Sequence, residues 1–231
     1  LGEGGVARTD AEREQQELLD AIRRNPGVRQ LAANPLLLTI LALMKRQGVV
    51  LPERRVRLYD QYVRTMLSSW NRARGLWRAP DHNLDVDQTL RVLAPLALWM
   101  HETNPGVGLV KRETLRRHLK DLFENQEAAD PEGAVRRFLI DVREHAGLLL
   151  ERGAGQYGFI HLTFEEYLAA VAIAVRGQGS CRPIVEMLSA HVGDAAWREV
   201  SRLTIPYLGI IQQLDRVAGE VVEALADEQP G

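Results

Sequence analysis

The 231 residues are 45% hydrophobic and 26% charged with a net charge of −2, enough to bury a core in one to three small domains, and this balance excludes a chain drawn by overall charge to nucleic acid or an anionic membrane. One cysteine, Cys181, excludes an internal disulfide and a cysteine-based metal cluster and fits a reducing, cytoplasmic setting. The longest apolar run, 36–44, is about half of the ~20 residues a membrane span needs, and the first residues lack the basic and apolar regions of a signal peptide.

The first ten residues, with Gly2, Gly4 and Gly5, read as a ragged lead-in. From 10 to 24 the spacing of Leu18, Leu19 and Ile22 predicts a helix, which Asn25-Pro26-Gly27 breaks. Asn34 then caps a new helix with Pro35 at its first position, where a missing N–H costs nothing. Leu36, Leu37, Leu38, Ile40, Leu41, Leu43 and Met44 surround this helix and predict that it is buried on most sides, with Lys45 and Arg46 at its C-terminal dipole and Gly48 ending it. A long helix over 53–73 follows, its stripe formed by Tyr59, Tyr62, Val63, Met66, Leu67 and Trp70. Its other face carries Arg54, Arg55, Arg57, Arg64, Arg72 and Arg74, either a phosphate-binding stripe or, preferred here, a solvated face.

After a polar linker with Pro80, Val86, Leu90, Leu93, Ala97 and Met100 predict a helix over 85–103 with a kink at Pro95. Leu109-Val110 reads as a short strand, and a helix over 112–124 carries Leu115, Leu119, Leu122 and Phe123, with Arg116, Arg117 and His118 on an exposed face. Asp130-Pro131 caps and starts a third helix that Gly147 stops. The stretches 148–152 and 157–161, joined by Gly153-Ala154-Gly155-Gln156, form a hairpin. Three helices and a two- or three-stranded β-wing make a winged helix. Beyond residue 176 the pattern predicts helices at 183–190 and 195–213, the latter disturbed at Pro206 and Gly209, and a final one bearing Val217, Val221, Val222 and Leu225.

The most informative stretch is Tyr157-Gly158-Phe159-Ile160-His161-Leu162-Thr163-Phe164-Glu165-Glu166-Tyr167-Leu168-Ala169-Ala170. A strand runs directly into a helix; Thr163 and Glu166 have the spacing of a capping box, and Phe164, Leu168, Ala172 and Val175 supply an apolar face. His161 lies where free N–H groups and the helix dipole favour an anion. This F-I-H-L-T-F-E-E-Y-L-A-A run resembles the end of the winged-helix domain of NACHT-type STAND NTPases, which are nucleotide-switched signalling proteins. The resemblance extends to N-P-L-L-L-T-I-L-A-L-M and L-P-E-R-R-V-R-L-Y-D-Q-Y in the first part and to D-A-A-W-R-E-V near residue 197, covering about 10–200. It implies a mainly α chain: a small helical domain (1–79), a winged-helix domain (80–178) and the first helices of a HEAT-like region (179–231). It further implies that His161 reaches the β-phosphate of ADP and that Pro35 lies near the adenine. From the residues themselves, His161 is equally a buried histidine bonded to the wing backbone, and Pro35 is needed as a helix starter whatever it touches.

The chain has three lysines among 29 basic residues, Lys45, Lys111 and Lys120, and none follows a glycine, so no P-loop is present. No apolar strand ends in paired acids to hold Mg²⁺. The chain is therefore expected to be no enzyme by itself, and to be the regulatory side of an ATP/ADP switch whose Mg²⁺-holding core lies upstream. The resemblance implies that core and downstream sensor repeats as partners, a homo-oligomer on activation, and a place in bacterial signalling or defence, with no specific nucleic acid and no membrane. The rival reading is a winged-helix transcriptional regulator; against it, the third helix balances Arg136, Arg137 and Arg143 with Glu132, Asp141 and Glu144. The histidines at 82, 101, 118, 145 and 191 show no metal-ligand spacing. Glu165 and Glu166, adjacent on a helix, diverge too far to act as an acid pair. The tryptophans read as core and contact anchors.

Overall fold

The computed structural model describes residues 3–46, 48–73, 86–153 and 155–227. Trp77 and His82, and the side chains of Trp70, Arg72 and His145, lie outside what is described, as do Arg74 and the linker at Pro80. Among the described residues the protein is mainly helical, with eleven α-helices, two π-helical turns and one three-stranded antiparallel sheet, a winged-helix arrangement. None of these helices is long and apolar enough to cross a membrane. The chain divides into two compact units, 1–62 and 63–231.

In the first unit, α1 spans Glu3–Arg24, so the lead-in is already helical. The break at Asn25-Pro26-Gly27 proves to be a start as well. Asn25 accepts from the N–H groups of Gly27 and Val28, Pro26 takes the first helical position, and α2 runs Pro26–Ala32. The same arrangement opens α3, Pro35–Arg46: Asn34 Oδ1 accepts from Leu36 N–H at 2.9 Å and Leu37 N–H at 3.3 Å. Helix α3 is not buried on most sides as its composition suggested. Leu37, Ile40, Leu41 and Met44 form one buried stripe, and Leu38 and Leu43 are exposed, because a three-helix unit of this size can cover only one face. The start of α4, Arg55–Ala73, adds Val56, Leu58 and Tyr59 to that core.

In the second unit, α5 (Val86–Thr103) continues through Pro95. It leads to β1 (Val110–Lys111), α6 (Arg112–Asn125) and α7 (Pro131–Ile140), with Asp130 accepting from Gly133 N–H at 2.9 Å. A π-helical turn over 141–146 follows and ends at Gly147, whose φ of +64° a side chain would resist. Strands β2 (Leu149–Glu151) and β3 (Gln156–Phe159) form the hairpin, and β1 pairs with the other side of β3, giving the order β1-β3-β2. Val110 stands opposite Tyr157, and Leu149 opposite Phe159. Helix α8 (Leu162–Arg176) leaves β3 and is covered by α5 and by α10 (Arg198–Pro206), which explains an unbroken buried run from Thr163 to Ala174 interrupted only at Glu166. Val175, expected on the buried face, is exposed where that cover ends. Helix α9 (Arg182–Ser189) and α11 (Asp215–Asp227) complete the unit, with a π-helical turn over 207–211 after Pro206.

Candidate functional site

The strand-to-helix junction at His161 is built differently from the capping box expected at Thr163. Helix α8 begins at Leu162 and its N-cap is His161, with an extended backbone (φ −150°, ψ 144°). The imidazole Nδ1 accepts from Thr163 N–H at 3.2 Å, and the Thr163 hydroxyl lies 3.0 Å from the same nitrogen. Thr163 is the second helical residue and is itself buried, with His161 rather than Thr163 in the N-cap position. With its lone pair at Nδ1 engaged, the neutral ring carries its hydrogen on Nε2. The residue is exposed. His161 thus satisfies one of the free N–H groups of α8 with Nδ1 as acceptor and keeps Nε2 in hand as a donor at the positive end of the helix.

Around this junction lies a cleft of about 350 Å³. One wall is the loop of Val107, Gly108 and Leu109; another is the exit of β3 with Arg152; the third is the first turn of α8 with His161 and Glu165. The Arg152 guanidinium donates to the carbonyls of Phe159, at 3.2 Å, and Ile160, fixing the last peptide before His161. Ile160 N–H in turn donates to Leu148 O at 2.8 Å. The carbonyls on which the wing would otherwise shift are therefore held by a charged donor.

Glu165 is the residue whose burial and partner the sequence reading missed. Its side chain is fully buried, and Oε1 stands 3.2 Å from Nδ1 of His101, also fully buried, in the last turn of α5. Among the described residues no atom hydrogen-bonds to Glu165 Oε2 or to His101 Nε2. Burial pushes the Glu165 carboxyl above the usual carboxylate range, an effect the bond to His101 only partly offsets. Gly108 makes the arrangement fit: a Cβ there would stand 2.5 Å from Glu165 Oε2, and its φ is +63°. His101 presents its ring to Trp197 edge-on at 4.9 Å, and His191 stacks on Trp197 at 3.7 Å. A sequence signal existed. Glu165 precedes Leu168, Ala169 and Ala172 by three, four and seven residues, and His101 follows Leu93 and Ala97 by eight and four, so each ionisable group lies on its own helix's apolar stripe.

Pro35 belongs to the first unit, exposed at the first position of α3 beside the Asn34 cap. A hollow of about 410 Å³ in that unit, with Val28, Val49, Leu51, Arg24 and Lys45 in its wall, does not include it. On α4, Arg54 and Arg57 are exposed, the Arg55 guanidinium donates to Tyr59 OH at 2.9 Å, and Arg64 pairs with Asp87 at 2.9 Å. His118 does not share the exposed face of Arg116 and Arg117. It is half-buried and stacked on Trp99 at 4.0 Å, and burial lowers its pKa against the pull of Asp121. Along α6 and α7 the cations meet acids: Arg116 and Lys120 with Glu132, Arg137 with Asp130, and Arg143 with Glu151. Among the described residues no three His, Cys, Asp or Glu side chains gather as a metal site.

A family model described as the winged helix-turn-helix domain C-terminal to NACHT matches residues 55–173, a little over half of the chain and all three walls of the cleft. No curated protein matches the sequence.

Proposed function

Because the chain belongs to the family of winged helix-turn-helix domains found C-terminal to NACHT, we propose that it is the regulatory lid of a NACHT-type STAND NTPase. In this reading the first turn of α8 closes over ADP held by the NACHT core in the resting state and swings away when ATP replaces it. Activation then proceeds through oligomerisation, in bacterial signalling or defence in the cytoplasm. The core supplies the phosphate cradle and Mg²⁺; this chain supplies the lid and is no enzyme alone. The C-terminal helices lead into HEAT-like sensor repeats, and neither nucleic acid nor a membrane is a specific partner. Pro35 starts the helix that faces the adenine.

The observation that carries the reading is the division of labour within one imidazole: Nδ1 caps α8, and Nε2–H remains as a donor for a phosphate oxygen. The fit in kind is good. Arg152 adds positive charge to the cleft, and the acid that lines it, Glu165, is fully buried and turned to His101. The paired cations of α6 and α7 speak against a DNA-reading surface.

A bond from Nε2–H to a charged oxygen is worth about 1.5–3 kcal/mol, roughly ten- to a hundredfold in a closed–open equilibrium. In the full-length protein, His161→Ala is expected to speed release of a fluorescent ADP by that factor and to raise basal signalling. His161→Asp keeps a capping oxygen but replaces the donor with a negative charge. It should recover the stability lost in His161→Ala and release ADP at least as fast. ADP release matching wild type in both variants overturns the reading.

A further inference from the structure

Glu165 lies four residues after His161 on the same face of α8, and both line the cleft. Three separate parts of the unit converge on its carboxyl: His101 from the end of α5, Gly108 from the loop, and the first turn of α8 itself. Trp197, at the start of α10 and 1% exposed, covers His101 from a different segment of the chain, and His191 backs Trp197 in turn. A buried pair with one bond between its members, and two further polar atoms that no atom of the described residues satisfies, is a poor device for stability alone. It is well suited to an element whose geometry must answer to its surroundings.

We propose that Glu165 is a positioning residue for His161, and that the Trp197–His101–Glu165 chain couples the C-terminal helices to the cleft. The contact of Trp197 holds His101 in place; His101 holds the Glu165 carboxyl; Glu165 sets the first turn of α8, and with it the direction of the His161 ring. Displacing the segment between α9 and α10 that carries His191 and Trp197 then loosens the cap at His161 without any change at the cleft mouth. This deepens the lid reading by assigning its control to the C-terminal segment, and its consequence for nucleotide rests on that reading. The coupling itself is testable in this chain with no nucleotide present.

The local reporter is the Thr163 amide. It is the second helical N–H, without an intrahelical acceptor, so its protection from hydrogen exchange depends on His161 Nδ1. Exchange is measured by NMR in wild type, Glu165→Gln, Trp197→Phe and the double variant, with Leu168 in mid-helix as the internal standard. Each single variant is expected to lower Thr163 protection by roughly tenfold relative to Leu168, the loss of about one hydrogen bond. The double variant should lose little more than either single one, as a serial coupling requires. Thr163 protection that keeps its ratio to Leu168 while the melting temperature falls makes the pair merely structural and overturns the proposal; additive losses overturn the coupling through His101. Should Glu165→Gln fail to fold, Trp197→Phe decides alone by the same ratio. A failed lid reading is seen separately, as ADP release unaffected by His161→Ala, and leaves these ratios unchanged.

Discussion

Two helix starts in this protein use the same rule and reach different ends. At α3, Asn34 spends its one side-chain oxygen on the N–H groups of Leu36 and Leu37, and the adjoining Pro35 offers no donor at all. At α8, His161 caps with one nitrogen and retains the other. Four residues on, the contrast repeats: Leu38 is 37% exposed, whereas Glu165 is fully buried and bonded to a distant histidine. A cap of the first kind only begins a helix. The second kind begins a helix and presents a donor whose setting is fixed from behind.

The most forceful way to break the comparison is at the fourth residue. Glu165→Ala leaves His101 buried without its partner and should cost about 3–5 kcal/mol in urea unfolding. Leu38→Ala, at an exposed position, should cost under about 0.5 kcal/mol. Equal losses at the two sites would erase the distinction between a supported and an unsupported helix start.

At the caps the effects are smaller and should match. Asn34→Ala and His161→Ala each remove a cap and are expected to cost about 1 kcal/mol, read as similar falls in the urea midpoint. A loss at His161 several times that at Asn34 would mean that the imidazole does more than cap.

The mildest test is titration, because only the α8 start carries a buried acid. Glu165 has its pKa raised in the folded protein, so the folded state binds more protons than the unfolded one above the ordinary carboxylate value. Its contribution is fully present below that value and is lost as pH rises through the raised one. Glu165→Gln should therefore flatten the decline in stability that sets in as pH rises above the ordinary carboxylate value, whereas Asn34→Ala should shift the whole curve without changing its slope. Parallel curves for Glu165→Gln and wild type would rule out an ionising Glu165.

Much of this was legible from the chain. Asn34-Pro35 and Asp130-Pro131 announce helix starts because each pairs an acceptor with a residue that lacks an N–H. The hairpin, the stop at Gly147 and the disturbance at Pro206 follow from local backbone chemistry that no distant contact overrides. The same grammar at Asn25-Pro26 was read as a break alone, because Gly27 obscured the seven-residue α2 that follows. The cap at α8 was placed two residues late, since Thr163 is the more usual capping type and only the fold reveals that its side chain is buried. The pairing of His101 with Glu165 spans 64 residues and joins two helices whose packing no local pattern encodes. Each residue nevertheless interrupts an apolar stripe, and two such interruptions are a reason to look for a pair.

The strand order has a consequence for how the junction at His161 comes into being. Strand β3 is the middle of the sheet yet the last of the three in the chain, and β1 and β2 make no ladder with each other. Neither has a strand neighbour until 156–159 exists, so a chain emerging from the ribosome carries β1 as an open edge through the synthesis of α6, α7 and β2. The β2–β3 pairing is local in the chain and the β1–β3 pairing is long-range, so loop-closure entropy favours the hairpin. Translation that pauses shortly before residue 156 would leave the nascent chain with β1 as an open edge and without the junction at His161.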